Sequence, residues 1–124
     1  FYYFGSQKKE NIDGRIIGCK LMERLNKTSK ENHAQIAILF QYPDYYFYKQ
    51  KQFIDILDKV SFIKKCATQN DLIVLDMYED LSLTFRENKL LFDTLYVDRN
   101  RQMSKTGNLF VAQFIQKNLY YKWF

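Results

Sequence analysis

Residues 96–119 read Tyr-Val-Asp-Arg-Asn-Arg-Gln-Met-Ser-Lys-Thr-Gly-Asn-Leu-Phe-Val-Ala-Gln-Phe-Ile-Gln-Lys-Asn-Leu. The first part is polar and reads as a loop. Ser104 is a residue type that caps helix N-termini, because its hydroxyl can accept a hydrogen bond from a first-turn amide. Beyond it, Phe110, Val111, Phe114, Ile115 and Leu119 recur at the spacing that draws one apolar stripe along a 3.6-residue helix. The pattern predicts a loop feeding a helix that ends near residue 120.

Upstream lie three short apolar runs. Residues 1–4, Phe-Tyr-Tyr-Phe, have high strand propensity and are halted by Gly5-Ser6. Residues 34–40 and residues 72–76 are nearly continuous apolar runs, which fit strands buried on both faces between helix layers. Pro43 ends the second run, since proline cannot continue a ladder. Between the runs, Ile12, Ile16, Ile17, Leu21, Met22 and Leu25 predict an amphipathic helix over residues 11–31, weakened locally by Gly14 and Gly18. Phe53, Ile54, Leu57, Val60 and Ile63 predict another over residues 51–67. Residues 77–95 are mixed and polar at Glu79, Asp80, Arg86, Glu87 and Asn88, and read as a long loop with at most a helical turn or two. Strands alternating with helices call for right-handed parallel crossovers, hence a single domain built as a three-layer α/β/α sandwich with a mainly parallel sheet, flavodoxin-like in plan. Sites in such folds sit at the carboxyl ends of the strands, where Gly5-Ser6-Gln7, Gln41-Tyr42 and the loop at Asp98 fall.

Composition narrows the rest. The 124 residues are 47% hydrophobic and 18% aromatic, enough for a core, and the +5 charge is spread along the chain rather than gathered into a block. There is no nucleic-acid motif, and no apolar run approaches the roughly 18 residues of a membrane span. Cys19 and Cys66 fall inside predicted helices without metal-ligand spacing, and His33 has no partner set, so no zinc site is expected and two buried thiols are the default. No cofactor motif is present. The aromatic segment with Tyr45, Tyr46 and Tyr48 would line a cleft or partner surface, or, more plainly, pack onto the core. The aromatic end at residues 120–124 needs burial or a protein partner.

The order of residues over 98–112, an Asp, a short polar run, Met-Ser, two further residues, Gly-Asn and then an apolar-Val-Ala helix, resembles the C-terminal block of the SGNH (GDSL-type) hydrolases. In that family the block carries the catalytic Asp and His just before the last helix. The resemblance implies that Asp98 is the carboxylate, that the loop lies at the carboxyl edge of the sheet near Gly5, and that Gly107 lets the last helix approach its neighbour. Five residues before that glycine, where the family's His stands, is Gln102. Gly5-Ser6-Gln7-Lys8 resembles the family's Gly-x-Asn-Asp motif, which makes Gly5 and Gln7 oxyanion-like positions. The chain matches the later part of that fold, and the block with the nucleophilic Ser has no counterpart in it.

Ester hydrolysis at such a site needs a Ser nucleophile, an imidazole, a carboxylate and oxyanion donors. Gln102 cannot take a proton, Arg101 is permanently charged, and His33 precedes a strand at the opposite end of the sheet. Two classes of function follow. One is part of an SGNH-like esterase or acyltransferase acting on acylated carbohydrate or lipid, inert as this chain alone. The other is a non-catalytic α/β binding module with an aromatic, mildly basic contact surface.

Overall fold

The computed structural model describes residues 13–97 and 102–123, with side chains through Tyr120. The expected strand at residues 1–4, and with it Gly5 and Gln7, lies outside the described residues. The other two expected strands are neighbours: β1 is Ala37–Phe40 and β2 is Ile73–Asp76. The Ile73 amide donates to the Ile36 carbonyl at 3.1 Å and the Met77 amide to that of Phe40 at 3.1 Å. Both segments advance in the same direction from one bond to the next, so the pairing is parallel and needs a long crossover.

Two helices precede the strands they feed, α1 (Gly14–Glu31) before β1 and α3 (Ile54–Gln69) before β2. Asp13 caps α1, accepting from the Arg15 amide at 3.0 Å. Each helix gives way to its strand through a left-handed residue, His33 (φ 51°) and Asp71 (φ 60°), residue types that tolerate this conformation better than most. The crossover from β1 also contains the short helix α2 (Tyr45–Tyr48) and a 3₁₀ turn, Gln50–Phe53. The fold is thus mixed α/β and mostly helical, with a two-stranded parallel sheet among the described residues.

Four local expectations change. Residues 77–95 are two helices, α4 (Tyr78–Glu87) and α5 (Lys89–Thr94), instead of a long loop. Glu79 and Asp80 stand in the first turn of α4, where negative charge meets the positive end of the helix dipole. Asn88 then ends α4 and caps α5, its Oδ1 accepting from the Leu91 amide at 3.1 Å. Cys19 and Cys66 are joined in a disulfide, Cα to Cα 5.4 Å, rather than standing as two thiols. The strands are half-buried instead of covered on both faces, apart from Leu75. Ile16 and Ile54, expected on inner faces, are 57% and 58% exposed.

The described chain divides into two compact units. The first combines residues up to Ile38 with Ile54–Val74; its buried side chains include Met22, Ile63, Cys66, Ala67 and Leu72. Arg15 lies over the Phe62 ring, Cys19 bonds Cys66, and Lys30 reaches Asp71, so α1 and α3 run side by side in the same direction. The second unit combines Leu39–Phe53 with the chain from Leu75 on. Its core centres on Phe92, fully buried, with ring centroids of Phe85, Tyr96 and Phe47 at 5.1, 5.2 and 5.3 Å.

The aromatic centre of the second unit gives a sharp contrast between neighbouring positions. Phe92→Ala should cost about 3–5 kcal/mol, whereas Leu90→Ala, at a residue 82% exposed, should stay within about 0.5 kcal/mol of the parent in urea unfolding. Equal costs at the two positions would show that α5 is not seated as described.

Candidate functional site at the strand exits and before the last helix

β1 and β2 both end in the second unit, and the residues at their exits form a buried polar group. Tyr42, 4% exposed, follows β1 and donates its phenol to the carboxylate of Asp76, the last residue of β2. Asp76 Oδ1 also accepts from the Tyr78 amide at 3.0 Å, which ties the strand exit to the start of α4. The Tyr96 hydroxyl, equally withdrawn from solvent, donates to the Tyr42 carbonyl at 2.8 Å. Burial pushes the Tyr42 phenol well above the ordinary tyrosine value, and the Asp76 charge pushes it the same way. Burial does the same to Tyr96, with the Asp44 charge adding to it. Asp44 Oδ1 is shielded from solvent and has no hydrogen-bond partner among the described residues.

The second part of the site is the loop before the last helix. Tyr96 and Met103 form an antiparallel bridge, and the Val97 amide donates to the Gln102 carbonyl at 2.8 Å. Asp98 lies outside the described residues, but the positions flanking it and Arg101 are held together by this bridge. Gln102 is exposed and contributes its backbone carbonyl. Directly after the bridge, helix α6 (Lys105–Trp123) begins. Ser104 caps it as expected, its Oγ accepting from the Gly107 amide at 3.0 Å and donating to the Thr94 carbonyl at 2.5 Å. With the hydroxyl engaged on both sides, Ser104 is a structural cap rather than a nucleophile. Of the expected stripe on α6, Phe114 is buried, while Val111, Ile115 and Leu119 are half-buried.

Gly107 is the close approach that seats α6. A Cβ placed there would lie 2.0 Å from the Leu95 carbonyl oxygen, a backbone atom that also accepts from the Ser104 amide at 2.8 Å and so cannot easily retreat. No signal in the sequence reported this carbonyl. Only the glycine itself hinted at a neighbour.

The aromatic segment takes the plainer of its two expected forms. Phe47 is buried, Tyr46 stacks on Phe53 at 4.7 Å, and Tyr45 meets both rings at 5.0 and 4.8 Å. Tyr48 is the exception, 46% exposed. Its hydroxyl donates to Asp93, which holds the phenol proton and raises its pKa to about 12, and the Lys89 ammonium sits 5.3 Å over its ring. Elsewhere the described surface offers open grooves on single helices, one on α4 at Glu79, Asp80 and Arg86, another on α6 at Gln113, Lys117 and Tyr120. No group of described residues could hold a metal ion, and no described helix is long and apolar enough to cross a membrane. His33 lies in the first unit, in the turn between α1 and β1.

Comparison with known proteins finds no matching protein-family model, no matching curated protein and no matching solved structure.

Two outcomes follow from this geometry. Gly107→Ala ordinarily strengthens a helix by about 1 kcal/mol, but the overlap with the Leu95 carbonyl should reverse the sign and cost about 3 kcal/mol. A thermal midpoint that holds or rises would show that α6 does not approach Leu95. The buried phenols Tyr42 and Tyr96 have raised pKa values in the fold, so the unfolded chain is first to lose those protons, from about pH 10 upward. Their stabilisation is complete below that pH and declines as pH rises above it. Tyr96→Phe should remove about 1 kcal/mol near neutrality, the worth of one hydrogen bond, and flatten the alkaline decline seen in urea midpoints. A variant whose decline matches the parent's would argue against a buried Tyr96 hydroxyl.

Proposed function

We propose that this chain is the later part of an SGNH-like α/β/α domain, of the esterase or acyltransferase class acting on acylated carbohydrate or lipid, and that the chain by itself does not turn substrate over. The observation that carries the reading lies on either side of residues 98–101: Tyr96 and Met103 are bridged, and the chain leads straight into a Ser104-capped helix with Gly107 lodged against the Leu95 backbone. In the resembled family the carboxylate stands just before the last helix. The parallel pair β1 and β2, with helices before each strand, is compatible with the three-layer sandwich that such a domain requires.

In this reading Asp98 would orient an imidazole and stabilise its charged form while a Ser hydroxyl attacks the acyl carbon. Gln102 fills the family's imidazole position with a group that neither gains nor loses a proton at physiological pH. Gly5 and Gln7 would face the developing oxyanion, Gln7 as the donor. Ser104 is committed to capping and does not supply the nucleophile.

The test compares 4-nitrophenyl acetate hydrolysis by the 124-residue chain with that of the product of its gene's full open reading frame. The expected result is no saturable turnover by the chain and turnover by the full product that Asp98→Ala abolishes. Saturable hydrolysis by the chain that disappears in Asp98→Ala would overturn its inertness. Turnover by the full product that survives Asp98→Ala would overturn the role of Asp98.

One observation favours a second reading, a non-catalytic binding module. Tyr48 presents a half-exposed ring beneath the Lys89 ammonium, which also lies 4.8 Å over Phe85, a small aromatic and cationic surface of the kind that contacts partners. A full product devoid of acyl-ester turnover would leave this reading standing.

A further inference from the structure

We propose that the Cys19–Cys66 disulfide is a redox-sensitive clamp: oxidised, it holds α1 against α3, and its reduction releases α1 from the first unit. The bond links the second turn of α1 to the last turn of α3, with the two Cα atoms 5.4 Å apart, inside the range that a disulfide spans. Its importance follows from how partial the other packing of α1 is among the described residues. Of the 18 residues of α1, Gly18 and Met22 are buried, Gly18 brings no side chain, and the apolar Ile17, Leu21 and Leu25 are only half-buried. The two glycines lower the helix propensity of the segment, and most of a helix's stability in a protein comes from packing its apolar face, which here is incomplete at those three positions.

The polar contacts do not make up the difference. Arg15 pairs with Asp13 at the helix's own N-terminus, and Lys27 with Glu31 lies within α1. Lys30 and Asp71 approach to 4.0 Å with side chains 67% and 80% exposed, a screened pair of little worth. The Arg15 guanidinium stands 5.8 Å over Phe62, itself 42% exposed. The covalent bond is the strongest tie between the two helices.

The bond is also placed where a reductant can reach it from one side. Cys19 is half-buried, whereas Cys66 is 8% exposed. A dithiol reductant attacks through its thiolate at the Cys19 Sγ; the S–S bond breaks and Cys66 leaves as a thiolate that takes up a proton. The second thiol of the reductant then displaces Cys19, which is protonated in turn. The chain gains two electrons and two protons, and the dithiol ends as its own disulfide. Such bonds persist in oxidising compartments and are opened where glutathione and thioredoxin-type dithiols prevail, so the docking of α1 reports the redox state around the chain.

The test is amide hydrogen exchange of the full chain, oxidised and after reduction with dithiothreitol, with thiols counted by alkylation under denaturing conditions. The expected results are no free thiol before reduction and two after it, with a fall of about tenfold or more in the protection of α1 amides and a change below about twofold in α6. Cys19→Ser should reproduce the reduced pattern and abolish the response to dithiothreitol, and Cys66→Ala should do the same. Equal α1 protection in both states would overturn the clamp, as would two alkylatable thiols in unreduced protein whose α1 is protected. Loss of protection throughout the chain on reduction would also overturn it, because the bond would then sustain the whole fold rather than one helix.

Discussion

The parallel pairing of β1 and β2 constrains the rest of the chain. Parallel strands cannot be joined by a tight turn, so the chain between them must make a crossover, and α2, the 3₁₀ turn and α3 are that crossover. Parallel pairing also aligns the two exits. The turn carrying Tyr42 and Asp44 therefore shares space with the turn carrying Asp76 and Tyr78, and the polar groups that must end each strand become a common buried network. An antiparallel pair would have sent those exits to opposite ends, and the Tyr42–Asp76 contact would not exist.

The two units are held by different means. In the second, rings crowd around Phe92, each burying about 150–250 Å², which at about 25 cal/mol per Å² corresponds to roughly 4–6 kcal/mol of gross transfer free energy per ring. In the first, the apolar face of α1 is only half-buried apart from Met22, and a disulfide between residues 47 apart in sequence restricts the unfolded chain by about 4 kcal/mol in the loop-entropy account. One covalent bond thus does for α1 roughly what one large buried ring does for α5.

The candidate site shows how one residue type can serve opposite purposes. Ser104 stands close to Asp98 in sequence, where a hydrolase reading would invite a nucleophilic role, yet its hydroxyl is consumed by the Gly107 amide and the Thr94 carbonyl. Tyr48 and Tyr42 are both phenols bonded to carboxylates, but Tyr42 is sealed in the core and Tyr48 faces water beside Lys89. Exposure, which sequence does not encode directly, separates the group that stabilises from the group that can meet a partner.

Local sequence alone determined the helix α6 and its cap, the positions of β1 and β2, and the helices α1 and α3, because each is written in residues a few positions apart: an apolar period, a capping hydroxyl, a proline that stops a strand. What it missed depended on contacts between distant residues. Acidic and polar residues over 77–95 suggested a loop, but Tyr78, Phe85 and Phe92 turn inward onto Phe47, Phe92 also meets Tyr96, Leu81 is fully buried, and this tertiary core makes two helices of the segment. Ile16 and Ile54 carry the period of an inner face yet stand exposed, since a period says which side residues share and not whether anything covers that side. Cys19 and Cys66 become partners only because α1 and α3 run side by side in the same direction, and no spacing along the chain could have reported that distance.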